Sequence, residues 1–178
     1  YDPDEVQALL SMVGPPEGDV LRVQVLLGLR VSEAVRLRAG DFDLPACVRV
    51  KGKGGLVRHV QVPPAALPFL SALIRGRSPE EKLFPSLRPE HVHRRLTQAC
   101  RALGIPGRGT HGFRHTYAQE LHAELMAGGL TDREARSEVS FRLGHRRVAI
   151  TYAYVPPLFW LQRRASAYDS SASSRELP

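Results

Sequence analysis

The feature that most constrains the fold is a change in the spacing of apolar residues after residue 45. Apolar and charged residues alternate over 48–51, a glycine-rich turn follows at 52–55, and valines recur over 57–62. Such a pattern on both sides of a glycine-rich turn is typical of a β-hairpin. Helical spacing precedes the hairpin and returns at Ala65, beyond Pro63 and Pro64. The sequence therefore predicts a mainly α-helical fold with a small antiparallel β-sheet, in the α+β class.

Helices are predicted where apolar residues recur at three- and four-residue intervals between capping residues and glycine or proline. Asp4 with Gln7, and Thr131 with Glu134, match the pattern of a capping box at a helix start. The predicted helices cover about 4–13, 19–29, 65–74, 89–103, 111–127 and 132–143, with a further start at Ser32 and an amphipathic piece at 158–165. We expect residues 1–165 to form one domain and the serine-rich segment 166–178 to be disordered.

The charge balance indicates a polyanionic partner. The net charge is +7 and the isoelectric point is about 10.0. Nucleic acid is a common partner of basic domains, although a merely basic surface also fits the charge alone. Cys47 and Cys100 lack the spacing of a disulfide framework or a zinc site, which is typical of a reducing compartment. The sequence shows neither a bilayer span nor a signal-peptide pattern, so we expect a cytoplasmic, nucleoid-associated protein.

Lysine is rare in this chain. Three of the 25 basic residues are lysines, and two of these, Lys51 and Lys53, lie in the predicted hairpin turn. Lysine can release its proton when its pKa is lowered, whereas arginine stays protonated. A lysine in this turn is therefore a candidate for proton transfer, and an ordinary solvated turn residue fits the observation equally well.

The helix predicted at 89–103 has a polar face opposite its apolar one. Arg94, Arg95, Gln98 and Arg101 share that face. Arginine forms paired hydrogen bonds with phosphate groups and guanine edges, so the face is a candidate DNA contact. A solvated helix face is the alternative, and the sequence does not choose between them.

Four motifs, in chain order, resemble those of the catalytic domain of tyrosine recombinases, the phage integrase family. GLRVSE at 28–33 is similar to the first-arginine motif, KGKGG at 51–55 with Arg58 to the hairpin-lysine motif, HGFRHT at 111–116 to the His-x-x-Arg box, and LGH at 143–145 with Thr151 and Tyr154 to the last box. The resemblance covers about residues 4–160. Each motif alone is weak, but together and in order they form a specific signal.

The resemblance implies a DNA strand-transfer reaction in which Tyr154 is the nucleophile. A phenol, with an ordinary pKa of about 10, attacks poorly until its proton is removed or its oxygen is held in line with phosphorus. In the family the tyrosine takes the 3′ phosphate and releases a 5′ hydroxyl. The exchanged bond can be resealed without ATP, and no metal or other cofactor is implied.

The resemblance also implies a role for each remaining motif residue. Arg30 and Arg114 would stabilise charge on the non-bridging phosphate oxygens, as preorganised donors do in phosphoryl transfer. Lys53 would protonate the leaving 5′ oxygen, with Lys51 as its competitor. His111 would act beside the nucleophile as a base or hydrogen-bond donor, and His145 would contact the phosphate. Glu33 and His115 would orient the site. We expect DNA contacts from Lys51, Arg58, Arg94, Arg95, Gln98, Arg101, Arg146 and Arg147.

Spacing selects among the tyrosines. Tyr154 follows His145 by nine residues, as in the family, whereas Tyr152 is two residues closer and Tyr117 and Tyr168 are expected to be structural. The 27 residues from 116 to 142 exceed the usual interval and predict a longer helix and loop, as in integrases of mobile elements. The family's N-terminal core-binding domain is not expected in this chain. Residues 158–161 would dock either on the same chain or on a neighbouring one.

The leading hypothesis is an integrase or resolvase-like recombinase that binds double-stranded DNA and associates as a dimer or tetramer on it. A type IB-like topoisomerase would use the same chemistry without joining two sites. A non-catalytic DNA-binding module of this fold is a third hypothesis, and the complete residue set argues against it. A metalloenzyme built on His111 and His115 is weaker still, because no glutamate follows His111 and no third ligand is evident.

Overall fold

The computed structural model describes residues 1–144 and 154–155, except for the side chain of Lys53. This part of the chain contains seven α-helices and a three-stranded sheet. The helices are α1 (Pro3–Val13), α2 (Glu17–Leu27), α3 (Val31–Ala34), α4 (Leu67–Ile74), α5 (Pro89–Leu103), α6 (His111–Ala127) and α7 (Asp132–Leu143). The strands are β1 (Phe42–Asp43), β2 (Cys47–Lys51) and β3 (Val57–Gln61). The described helices include none with the length and hydrophobicity of a membrane span.

Several predictions fall outside the described residues. They concern His145, Arg146, Arg147, Thr151 and Tyr152, the amphipathic piece at 158–165 and the tail at 166–178. The mainly helical fold with a small antiparallel sheet is confirmed.

The predicted hairpin is formed by β2 and β3. They pair antiparallel, with Val48 opposite Val60 and Lys51 opposite Val57. The valines at 48, 50 and 60 are buried, so the alternating pattern turns one face of the hairpin toward the core. β1 pairs with the other edge of β2 and was not predicted, because a strand of two residues within a turn-like segment has no detectable alternation.

Helix ends follow the capping chemistry, with corrections at the first two helices. α2 spans Glu17–Leu27 and not about 19–29, because Gly28 ends it in the left-handed conformation. α1 begins before the predicted position: Asp2 is its N-cap, and Asp2 and Glu5 form the capping box in place of Asp4 and Gln7. Pro3 occupies the first turn, where the missing amide hydrogen has no cost. The capping box at Thr131 and Glu134 is confirmed.

Two apolar clusters meet along α6. The larger one includes Phe113 and draws mainly on α1, α2, α5 and the sheet, whereas the smaller one contains Tyr117, Leu121, Tyr154 and Val155. α6 therefore contributes to both clusters over successive turns. Arg114 lies between Phe113 and Tyr117 along this helix, so the His-x-x-Arg motif is held where the two clusters meet.

Candidate active site

Gly28 determines where Arg30 lies. It ends α2 in the left-handed conformation, with φ of 63°, and a Cβ at this position would lie 2.4 Å from the ring of Tyr117. Only glycine fits both conditions. The chain then becomes extended at Arg30, which is the N-cap residue of α3. The predicted helix junction at Arg30 is therefore present.

A buried amide links this junction to the start of α6. The Gln24 side chain is 1% exposed, and its Nε2 donates to the carbonyl oxygens of Leu29 at 3.1 Å and Thr110 at 3.4 Å. These carbonyls immediately precede Arg30 and His111. Gln24 therefore fixes two motifs relative to each other, a role that the sequence reasoning missed. The sequence feature that could have revealed this role is a polar residue on an otherwise apolar helix face.

Glu33 is the anion that holds Arg30. Its carboxylate accepts from the backbone N–H of Arg30 and from Arg30 Nη1, both at 2.9 Å, and from Arg58 Nη1 and Nη2 at 3.0 and 2.9 Å. Burial raises the pKa of this carboxyl, but the hydrogen bonds and charges of Arg58 and Arg30 outweigh burial and lower the pKa to about 2. Glu33 is therefore charged at neutral pH and orients Arg30, in the position predicted for it.

Arg58, which was predicted as a DNA contact, is bound to Glu33. Its side chain is only 13% exposed, and both of its terminal nitrogens bind Glu33. A planar guanidinium matches the two carboxylate oxygens, which accounts for an arginine at this place in the hairpin. The geometry thus favours a supporting role for Arg58 through Glu33 over the predicted contact with DNA.

Because Glu33 forms these ion pairs, we expect the free energy of unfolding to fall at acid pH. Because the pKa of the folded carboxyl is lowered from 4.5 to about 2, its stabilisation is complete above about pH 4.5 and is lost as pH falls toward 2. The pKa shift corresponds to about 3 kcal/mol of unfolding free energy. Urea unfolding at several pH values should show this loss for the wild type. Glu33→Gln should be less stable at neutral pH and should lack this part of the pH dependence.

The exposed Glu124 provides a matched control for that experiment. Glu124→Gln should leave both the stability and its pH dependence unchanged. A Glu33→Gln variant as stable as the wild type at neutral pH would contradict the role assigned to this carboxylate.

Arg114 is fully buried and joins the ends of two helices. Its Nη1 donates to the carbonyl of Gly28, and its Nη2 donates to the carbonyl of Leu143 at 2.6 Å. Burial, followed by the charge of Arg30, lowers the pKa of Arg114 to about 10, so the guanidinium is still charged at neutral pH. The ring of Tyr154 lies over it at 5.8 Å. A phosphate can reach Arg114 only after side chains around it move.

Tyr154 meets both histidines of the HGFRHT motif. Its hydroxyl lies 2.7 Å from His111 Nε2, and its ring stacks on His115 with centroids 4.3 Å apart. Burial, and then the charges of His115, Arg114 and Arg30, lower the pKa of His111. The lowered pKa favours the neutral imidazole at pH 7, and in the tautomer that carries its proton on Nδ1 the Nε2 atom accepts a hydrogen bond from the phenol. The structure thus brings His111, Arg114, His115 and Tyr154 together.

The proton donor to the leaving group stays a prediction. Lys53 lies in the helical turn that follows β2, and its side chain is not among the described ones. Lys51 ends β2 and is exposed. His145 lies outside the described residues. The preference for Lys53 over Lys51 therefore still rests on the resemblance.

A basic cleft of about 870 Å³ adjoins Arg30, between α3 and the hairpin. Its lining includes two carboxylates, Glu33 and Asp41. The basic residues that line it are Arg30, Arg36, Arg38, Arg49, Lys51 and Lys82. Cations thus exceed anions, so the cleft favours a polyanion. Of the basic residues only Arg30 and Lys51 were predicted as site residues, because the other four come together only in the folded chain and belong to no recognised motif.

The polar face of α5 is a second exposed basic surface. Arg94, Arg95, Gln98 and Arg101 are all exposed, as predicted, while Val92 and Leu96 are buried on the opposite face. Cys100 is buried as well, whereas Leu103, the last residue of the helix, is 36% exposed. The face is thus accessible to a DNA backbone, and its contact with DNA stays a prediction.

Comparison with known proteins decides the family. The model of the phage integrase family matches residues 2–159, which span all four motifs. The chain belongs to the phage integrase family. Its relatives include a Sinorhizobium fredii protein of the integrase/recombinase type, y4qK, which is 36% identical over 163 residues and aligns with 86% of this chain and 50% of its own length.

The tyrosine recombinase XerC of Pseudomonas aeruginosa is 35% identical to this integrase-family chain over 185 residues, covering 93% of this chain and 57% of XerC. The chain thus spans about half the length of these relatives. The crystal structure of the site-specific recombinase XerH bound to difH substrate superposes with a TM-score of 0.66 at 21% identity, covering 94% of this chain and 54% of XerH. That likeness shows a shared fold.

Proposed function

We propose that residues 1–165 are the catalytic domain of a site-specific DNA recombinase or integrase that acts through a 3′-phosphotyrosyl intermediate without metal or ATP. The observation that carries the proposal is the 2.7 Å contact between the Tyr154 hydroxyl and His111 Nε2, beside Arg114 and the Glu33-bound Arg30. These groups come from separate segments of the chain, and their convergence suits phosphoryl transfer to a phenol.

Each group has a defined part in the proposed reaction. The Tyr154 oxygen attacks phosphorus while its proton passes to His111 Nε2, and the bond from phosphorus to the 5′ oxygen breaks. Arg30 and Arg114 stabilise the charge that develops on the non-bridging oxygens. Lys53 gives a proton to the leaving 5′ oxygen, and His145 contacts the phosphate, as the family resemblance implies. A 5′ hydroxyl from another strand then attacks the phosphotyrosine and gives its proton to Lys53. The bond from phosphorus to the Tyr154 oxygen breaks, and His111 returns the proton to that oxygen.

We propose that the basic cleft binds the DNA backbone next to the reacting phosphate. Arg36 and Lys82 are exposed on its rim, and neither belongs to the proposed catalytic set. In the Arg36→Ala, Lys82→Ala double variant, duplex binding should weaken and the slope of log K against log salt should become shallower by about 2, because each phosphate contact contributes about 0.9. Fluorescence anisotropy with a labelled duplex over a range of salt concentrations measures both quantities.

The control for the cleft is a double variant of exposed arginines elsewhere, Arg75→Ala with Arg133→Ala. It should keep the wild-type salt dependence. Equal effects in the two double variants would show that net charge, and not the cleft, determines binding.

The same chemistry would serve a type IB-like topoisomerase. The relatives are named as recombinases and integrases, which favours recombination over supercoil relaxation for this chain. A non-catalytic DNA-binding module has no evident use for a phenol and a histidine at hydrogen-bonding distance. We also propose association into a dimer or tetramer on DNA, as the family resemblance implies.

The test of the proposed function begins with duplexes that the chain retains from a random-sequence library. These are synthesised again with a nick at successive positions, which lets the released strand diffuse away and traps the intermediate. A denaturation-resistant adduct on one of them supports the proposal. Joining of two duplexes that both contain the selected sequence supports recombination, and relaxation of plasmids without it supports the topoisomerase. The absence of an adduct on every selected duplex would refute the proposal.

A further inference from the structure

The backbone around Tyr154 is held by two side chains that the proposed chemistry does not use. Gln119 Nε2 in α6 donates to the carbonyl of Tyr154 at 3.2 Å, and Arg136 Nη1 in α7 donates to the carbonyl of Val155. Consecutive carbonyls are thus bound from two different helices. We call Gln119 and Arg136 the carbonyl clamp.

Arg136 is itself held in place. It is 1% exposed, and its Nε lies 2.7 Å from Asp132 Oδ2. The other oxygen of Asp132 lies 3.0 Å from Nε2 of the buried His122 in α6. Asp132 therefore connects both helices to the guanidinium, which restricts the directions in which Arg136 can point.

Burying a guanidinium is costly, and a well-packed apolar side chain of similar volume often serves stability as well or better. Packing alone therefore does not account for an arginine at position 136. Its Nη1 is directed at the carbonyl that follows the nucleophile, while its Nε is directed at Asp132. This arrangement is suited to fixing a short backbone segment in space.

We propose that the carbonyl clamp positions the Tyr154 phenol against His111 and toward the reacting phosphate. The catalytic consequence rests on the proposed function, in which Tyr154 is the nucleophile. The clamp acts through the backbone, so Gln119 and Arg136 are positioning residues that do not touch the substrate. Misplacement of a nucleophile by about 1 Å can slow a reaction on the order of 100-fold, so loss of the clamp should slow adduct formation by up to that factor.

The position of Tyr154 can be measured without DNA. We would install 3-fluorotyrosine at residue 154 of the full chain and record its ¹⁹F NMR signal. In otherwise wild-type protein we expect a signal displaced from that of solvent-exposed fluorotyrosine, because the ring is packed on His115. Arg136→Met and Gln119→Ala should each move the signal toward the exposed value or broaden it.

Arg142 provides a closely matched control. It lies in the same helix and pairs with Glu138 at 2.7 Å with the same four-residue spacing as Arg136 and Asp132. Arg142→Met should leave the fluorine signal unchanged. If Arg136→Met does not fold, Gln119→Ala decides the outcome, because Gln119 is exposed and its loss should not affect folding.

The outcomes separate the clamp from the proposed function. An unchanged fluorine signal in both clamp variants would overturn the proposal, as would an equal change in Arg142→Met. A moved signal with adduct formation as fast as in the wild type would also overturn it. If the wild type forms no adduct on any selected duplex, the proposed function fails, while the fluorine result still reports whether the clamp positions the ring.

Discussion

Tyr154→Phe will form no covalent adduct with DNA. The variant lacks the only oxygen that the proposed mechanism allows to attack phosphorus. Its ring can still stack on His115 and cover Arg114, so the fold should be retained with only a small loss of stability. Binding to selected duplexes should be unchanged. Denaturing gels of nicked duplexes measure the adduct, and anisotropy measures the binding.

Tyr152→Phe is the matched control, because Tyr152 is the competing nucleophile in the sequence. It should form adduct at the wild-type level. Adduct formation by Tyr154→Phe, or its loss in Tyr152→Phe, would assign the nucleophile to a different residue.

Arg30→Ala will slow adduct formation by about 100- to 1000-fold, the usual cost of removing one preorganised donor to a developing oxyanion. Its side chain is only partly buried, and Glu33 keeps both contacts with Arg58, so the variant should remain folded. Arg30→Lys should recover only part of the rate, because lysine keeps the charge but not the planar pair of donors. Single-turnover cleavage of a nicked duplex at saturating protein measures the rate.

The exposed Arg75 provides the control for this experiment, and Arg75→Ala should cleave at the wild-type rate. Saturating protein separates the chemical step from binding. A rate for Arg30→Ala equal to that of the wild type would remove Arg30 from the catalytic set. A loss that disappears at saturation would make Arg30 a DNA-binding residue only.

The sequence predicted the elements whose signals are local. Glycine and proline mark the helix ends, and the alternating valines at 48 and 50 mark the hairpin. β1 could not be predicted because two residues are too few to show a periodic pattern. They are extended because they pair with β2. The start of α1 was misplaced because Asp2 and Asp4 both precede the apolar run, and only the reciprocal contact with Glu5 distinguishes them.

The site was predictable to the extent that its residues belong to short motifs. Tyr154 and Arg114 were predicted from motif spacing, and the structure places them together. Gln24 and Arg136 were missed because each donates from a helix to a backbone carbonyl in another segment of the chain, and a lone polar residue in a helix carries no local signal of its partner. The pairing of Arg58 with Glu33 was missed for the same reason, since it depends on how the hairpin packs against α3.

The most direct test of the central claim is to identify the residue that becomes attached to DNA. The adduct on a nicked selected duplex would be digested with nuclease and protease, and the modified peptide would be sequenced by tandem mass spectrometry. The proposed mechanism predicts a nucleotide linked through its 3′ phosphate to the phenolic oxygen of Tyr154. A nucleotide on any other residue, or one attached through its 5′ phosphate, would contradict it.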